Sequence, residues 1–302
     1  MNNLKHGFWL FLLASAGWGQ AIKVTLLGTG TPRPMIERFG PSILVQAGKE
    51  NLLFDAGRGC TIRLWQLGVP LKDVNRLFLT HLHSDHTVGI PDLWLTGWIF
   101  DRAEPLEVWG PKGTEAMMRG LRKAYAYDVT VRSNFGNSRV GAEIRAHDIH
   151  EGVVYEANGV KVTAFLVDHG AVKPAFGYRV DYGGHSVVLS GDTRPSENLV
   201  KHAQGVDLLV HEVYAVTPEQ LKEDPKEQSI VSYHSTPEQA GEIFSRTHSK
   251  LAVYSHIGKG AVTAEELKRR TRKTYAGPLE VGEDLMTIEV GERIKVVPPA
   301  AR

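Results

Sequence analysis

Thr80-His81-Leu82-His83-Ser84-Asp85-His86 follows directly on the apolar run Leu77-Phe78-Leu79. Four metal-capable side chains fall within the six positions His81 to His86. In extended chain, alternate side chains share a side. His81 and His83 therefore point together as a strand ends, while Asp85 and His86 turn toward a second point a few ångströms away. Imidazole and carboxylate at this density suit Zn²⁺ or a similar borderline ion. No lysine or arginine in the run neutralises Asp85. The pattern fits two adjacent cations, which at about 3.5–4 Å separation hold one water as a nucleophile and steady a leaving oxygen.

Other motifs extend outward from this cluster. Leu26-Leu27-Gly28-Thr29-Gly30-Thr31-Pro32 reads as a strand and turn. Leu53-Phe54-Asp55-Ala56-Gly57, Gly110-Pro111-Lys112-Gly113 and Leu189-Ser190-Gly191-Asp192-Thr193 follow in order, then His211-Glu212, His234-Ser235-Thr236-Pro237 and Ser255-His256. Together with the His-x-His-x-Asp-His run, this series resembles the metallo-β-lactamase superfamily in its ribonuclease Z-like branch. The resemblance extends from about Ile22 to Val290.

The 302 residues suffice for a large core. A formal net charge of +1 gives no global basic field for nucleic acid. Cys60 is the sole cysteine, so no intrachain disulfide forms, and it reads as a small buried residue. Lys5 and His6 precede an apolar run, Phe8 to Ala16, with small residues through Ala21. Residues 1–21 read as a signal peptide, cleaved after Ala16 or Ala21, which places the mature chain outside the cytoplasm. The apolar run is well short of the ~20 residues of a membrane span. Residues 22–302 read as one catalytic domain, with no linker, tandem repeat or low-complexity segment.

Strands are expected at Ile22–Leu27, Ser42–Ala47, Asn51–Asp55, Arg76–Thr80, Gly159–Val167, Phe176–Tyr182, Ser186–Ser190, Leu208–Val210, Leu251–Tyr254 and Leu285–Val290. Helices are expected at Thr61–Leu67, Glu115–Tyr125, Thr236–Thr247 and Ala264–Arg272. Thr236 reads as the cap of its helix, with Pro237 in the first position. Pattern alone gives a mixed α+β chain. The resemblance implies the four-layer αβ/βα sandwich, with the site along one edge.

The resemblance also implies the ligand set. His81, His83 and His169 hold one metal; Asp85, His86 and His256 hold the other; Asp192 bridges. Read without it, His169 fits a ligand and a surface histidine equally, and Asp192 fits a turn aspartate. The implied cofactor is two Zn²⁺ per chain, with Mn²⁺ or Fe as alternatives. Asp85, Glu212 and His234 are the expected catalytic residues: hydroxide formed between the metals attacks an electrophilic centre, and His234, oriented by Glu212, protonates the leaving oxygen. His211 is grouped with that pair, and Asp55 is expected to hold a metal-binding histidine. Trp94, Trp98, Tyr125 and Tyr127 are candidates for the pocket wall or for the core. His147-Asp148-x-His150 imitates a metal pair but lacks a third partner. His6, His147, His150, His185, His202 and His248 are expected mostly in solvent.

Ribonuclease Z proteins carry a tRNA-holding arm between the segments matching His169 and Asp192. Here that gap is 22 residues, Gly170 to Gly191, two expected strands joined at Gly183-Gly184. No tRNA-binding arm is therefore expected, and tRNA 3′ processing ranks low. The expected substrate is a small or unstructured phosphodiester, with a small-molecule ester as the expected partner, ahead of a sulfate ester, a β-lactam or another amide or ester. No stable membrane span is expected, and a homodimer is the family's suggestion.

Overall fold

The strands among the described residues send neighbouring side chains to opposite faces, and so into separate cores. In β4 (Arg76–Phe78), Leu77 and Phe78 are both buried but belong to different apolar clusters. That arrangement requires material on both faces of the sheet. The computed structural model describes residues 21–258 and 263–300. The expected signal segment lies almost wholly outside the described residues.

β1 (Ile22–Gly28), β2 (Ser42–Ala47), β3 (Glu50–Phe54), β4, β5 (Leu106–Gly110) and β6 (Ile144–Asp148) lie side by side in that order. β14 (Thr287–Val290) and β15 (Ile294–Val297) extend the same sheet beyond β1. The second sheet runs β13 (Leu279–Val281), β12 (Leu251–Gly258), β11 (Leu208–Tyr214), β10 (His185–Leu189), β9 (Phe176–Tyr182), β8 (Val160–Leu166) and β7 (Gly152–Ala157). Val24, Leu26, Phe54, Phe78, Tyr178, Val180 and Val210 fill the space between the sheets. Leu53, Leu77, Leu64 and Leu93 form a core under the helices of the first sheet. Leu209, Ala252, Ile243 and Phe244 form another under those of the second. Three cores make the four-layer sandwich that the resemblance implied.

The expected helix starting at Thr236 begins at Pro237. Thr236 caps it, accepting from the Gln239 backbone N–H, while the Gln239 side chain accepts from Thr236 N–H. Two expected strands are longer than their apolar cores indicate. β11 runs on through His211 and Glu212 to Tyr214, and β12 through His256 to Gly258. Their mutual hydrogen bonds continue past the last apolar residue. Among the described residues, no helix is long and apolar enough to cross a membrane.

Two hydrogen bonds tie the end of β4 to the second sheet: Tyr178 Oη donates to Leu79 O at 2.7 Å, and Phe176 N to Thr80 O at 2.9 Å. They fix the start of the histidine run over the edge where β8, β10, β11 and β12 deliver their own residues.

Candidate metal centre

His81 and His83 leave β4 on extended chain, and His83 is the last residue before the short helix Ser84–Thr87. That helix carries Asp85 and His86. His169 follows β8, Asp192 follows β10, and His256 lies within β12. At His256 the pairing with β11 slips by one residue, and its φ is 43°. The bulge turns a side chain that a regular strand would aim elsewhere.

These segments converge as two groups of ligand atoms, each within 4.8 Å: His81, His83 and His169, and Asp85, His86 and His256. Asp192 Oδ2 lies between them, 3.9 Å from Nε2 of both His81 and His169, 3.4 Å from His86 Nε2 and 3.3 Å from His256 Nε2. All seven expected ligands are thus brought together. His83 alone is exposed, on the cleft side.

The far side of the rings is held by protein. Asp55 Oδ2 accepts from His86 Nδ1 at 2.8 Å, as expected of a carboxylate behind a ligand histidine. Asp55 adopts φ 58°, and its carboxylate also accepts from the Thr80 N–H and hydroxyl. His169 Nδ1 donates to Tyr233 O at 3.0 Å. Each of these rings therefore presents Nε2 inward. The inward atoms His81 Nε2, His86 Nε2, His169 Nε2 and Asp192 Oδ1 are buried with no hydrogen-bond partner. Buried polar atoms without partners are costly, and four converging on one point fit divalent cations. Burial holds the His81 imidazole well below its ordinary pKa, with His86 adding to the effect, and burial also lowers His169. Neutral imidazole is the ligating form. Burial opposes charge on His86 too, but Asp192 and Asp55 outweigh it and hold its pKa well above the usual range. That position asks for a positive charge, whether proton or metal.

Glu212 and His234 meet as expected. His234 Nδ1 is 3.0 Å from Glu212 Oε1, which also accepts from Ser235 N and Thr193 N. Burial disfavours the His234 cation, but Glu212 and then Asp192 raise it to about 9. His234 faces a cleft of about 510 Å³ with His83, Asp85, Asp192 and His256. His211 is not in that cleft. Its Nδ1 donates to Glu212 O at 2.6 Å, its ring lies perpendicular to Phe244, and it borders a small cavity lined also by Asp55, His86 and Asp192.

The aromatic expectations fail for the cleft. Trp94 and Trp98 are buried, donating to Ala142 O and Ser138 O, because their helix Ile90–Ile99 turns its apolar face onto the core. Tyr125 sits edge-on to Trp94, and Tyr127 is 84% exposed. None lines the metal cleft. Tyr214 and Tyr233 do; Tyr214 stacks on His234 at 5.4 Å. Tyr214 lies two residues past Glu212 on one strand, and that spacing was the available signal. The His147-Asp148 pair is structural: His147 meets Glu107 at 2.8 Å, and Asp148 accepts from Gly113 N and Glu115 N at the start of helix Thr114–Ala124. His202 is not free in solvent but stacks on Phe165. Cys60 is buried, as expected.

Residues 50–257 match the model of the Beta-lactamase superfamily domain. Ribonuclease Z of Mycobacterium sp. (strain KMS) is 35% identical over 282 residues, covering 92% of this chain and 99% of the relative. Among solved structures, the metallo-beta-lactamase fold protein YhfI from Bacillus subtilis aligns with TM-score 0.70 at 18% identity, over 89% of this chain and 99% of that one. Human tRNase Z, short form, aligns with TM-score 0.65 at 23% identity, over 88% and 98%. The segment between His169 and Asp192 holds only β9 and its hairpin partner β10, with no arm. The chain therefore belongs to the beta-lactamase superfamily and, within it, to the ribonuclease Z family of metal-dependent hydrolases.

Proposed function

We propose that this chain is a two-metal phosphodiesterase whose substrate is RNA. The observation that carries the reading is Asp192 Oδ2 set between two three-residue ligand groups. His81, His83 and His169 would hold one ion, Asp85, His86 and His256 the other, and Asp192 both. The nitrogen-rich donor set favours Zn²⁺. Two such cations supply the charge that activates water and steadies phosphate oxygens.

The protein's own residues do the rest. Asp85, beside His256 at 3.3 Å, keeps a carboxylate at the cleft floor, where it can accept a proton from incoming water. His234, anchored by Glu212, is placed to protonate the departing ribose oxygen. Tyr233, against His169 and His234, offers a ring to a base. Arg33 and Lys226 at the cleft mouth suit neighbouring phosphates.

RNA replaces the small ester expected from sequence, because the relatives matched over nearly their whole length are ribonucleases Z. Export through residues 1–21 and a homodimer stay as proposals, the first tested by sequencing the mature amino terminus and the second by sedimentation. The central test takes one purified sample, measures bound metal by mass spectrometry, and assays a short RNA, an aryl phosphodiester, an aryl sulfate and a cephalosporin. About two zinc per chain with RNA and aryl phosphodiester cleaved is the expected result. One metal or none in folded protein defeats the two-metal centre, and preference for sulfate or cephalosporin defeats the phosphodiester assignment.

A further inference from the structure

A second groove, also of about 510 Å³, lies apart from the metal cleft. Arg119, Arg122, Lys123 and Arg139 line it over a floor of Trp94, with Glu143 the only carboxylate in its wall. All four cations are exposed. Arg119 pairs with Glu115 at 3.2 Å, whereas Arg122, Lys123 and Arg139 have no ion-pair partner among the described residues. Arg119 repels Arg122 and Lys123, its neighbours three and four positions on along the helix. The helix dipole favours cations in that last turn. It does not account for Arg139, which comes from the loop after the next helix.

That next helix, Ala126–Asn134, buries none of its residues. Tyr127 is 84% exposed and Phe135, just past its end, 85%. These two rings do not line the groove, to which the helix presents Ala126, Val129 and Thr130, so its chemistry is that of the unpaired cations, which match a phosphate backbone. The helix that carries three of the groove's four cations starts near the centre. Helix Thr114–Ala124 starts after Gly113, which packs against Leu82 between His81 and His83. Its far end lies ~14 Å further along the axis, at 1.5 Å per residue.

We propose that this groove docks the RNA strand running away from the metal cleft, a role that rests on the RNA reading above. Three unpaired cations replace the arm that the segment Gly170–Gly191 does not supply. Charge complementarity selects the occupant: a concave, cation-walled site fits a phosphate backbone better than it fits a flat surface.

The test uses the full-length metal-loaded protein and a labelled 20-nucleotide single-stranded RNA, followed by fluorescence anisotropy across a salt series. The triple variant Arg122→Glu, Lys123→Glu, Arg139→Glu is expected to weaken binding about tenfold or more and flatten the salt slope. Its turnover of an aryl phosphodiester, too small to reach the groove, stays unchanged and certifies the fold. Wild-type affinity and slope retained by the triple variant overturn the proposal, as does wild type that binds no RNA. Phosphatidylserine vesicles bound by wild type and lost in the triple variant, with RNA binding untouched, overturn it in favour of a membrane surface. Wild type that hydrolyses neither RNA nor aryl ester defeats the proposed function instead, and the anisotropy still decides the groove.

Discussion

Asp55 Oδ2 stands 2.8 Å from Nδ1 of His86, on the opposite side of the ring from Asp192. The ring is gripped between two carboxylates, so its proton is held at Nδ1 and Nε2 faces the centre. Asp55 also accepts from the Thr80 backbone, the residue that opens the histidine run. One side chain thus sets both the tautomer of His86 and the path of the chain that carries His81 and His83.

Replacing Asp55 by Ala should lower metal affinity by about 10–100-fold while leaving all seven ligands in place. Competition against a fluorescent chelator measures this. Affinity equal to wild type would show that Asp55 serves only the backbone of Thr80.

Asp192→Ala removes the carboxylate set between the two ligand groups. The variant should lose metal as well as activity, and metal content by mass spectrometry reads this directly. Two ions retained at full occupancy would break the bridging assignment.

His234→Ala separates proton donation from metal binding. Turnover should fall by about 10²-fold or more with metal content intact. A substrate whose leaving group needs no proton, such as a nitrophenolate ester, should lose far less. Equal losses on both substrates would remove His234 from the acid role.

Glu238 gives a pH prediction away from the centre. Burial raises its pKa, but Arg270 at 2.7 Å, the helix-terminal backbone and Lys273 at 3.1 Å outweigh it and bring the carboxyl to about 2. A depressed carboxylate contributes stability above its unfolded pKa of 4.5 and loses it as pH falls toward 2. The site is partly exposed, so solvent screening reduces the effect to about 1 kcal/mol. Urea unfolding should therefore show Glu238→Gln less stable than wild type at pH 7 and nearly equal to it near pH 2. A gap that is constant with pH would mean that the loss is steric.

The histidine run, the Gly191-Asp192 turn and the capped helix from Pro237 were legible in sequence because each is a local device. Spacing of two along extended chain, a turn glycine and a Thr-Pro cap need no distant partner. The same holds for β4, whose short apolar run ends at the histidine run. What sequence could not place were residues whose role is set from across the fold. Trp94 fits the pocket wall and the core alike until its helix is seen turned onto the core. Tyr214 and Tyr233 look ordinary until β11 and the loop after Val231 bring them against His234 and His169. His256 reads as a strand end, and only the slipped pairing with β11 turns it onto Asp192 and Asp85. The sequence by itself determined which side chains can bind a metal and the short segments that present them. Which atoms meet, and at what separation, is a property of two sheets packed face to face, since residues from 55 to 256 reach one point only when that core has formed.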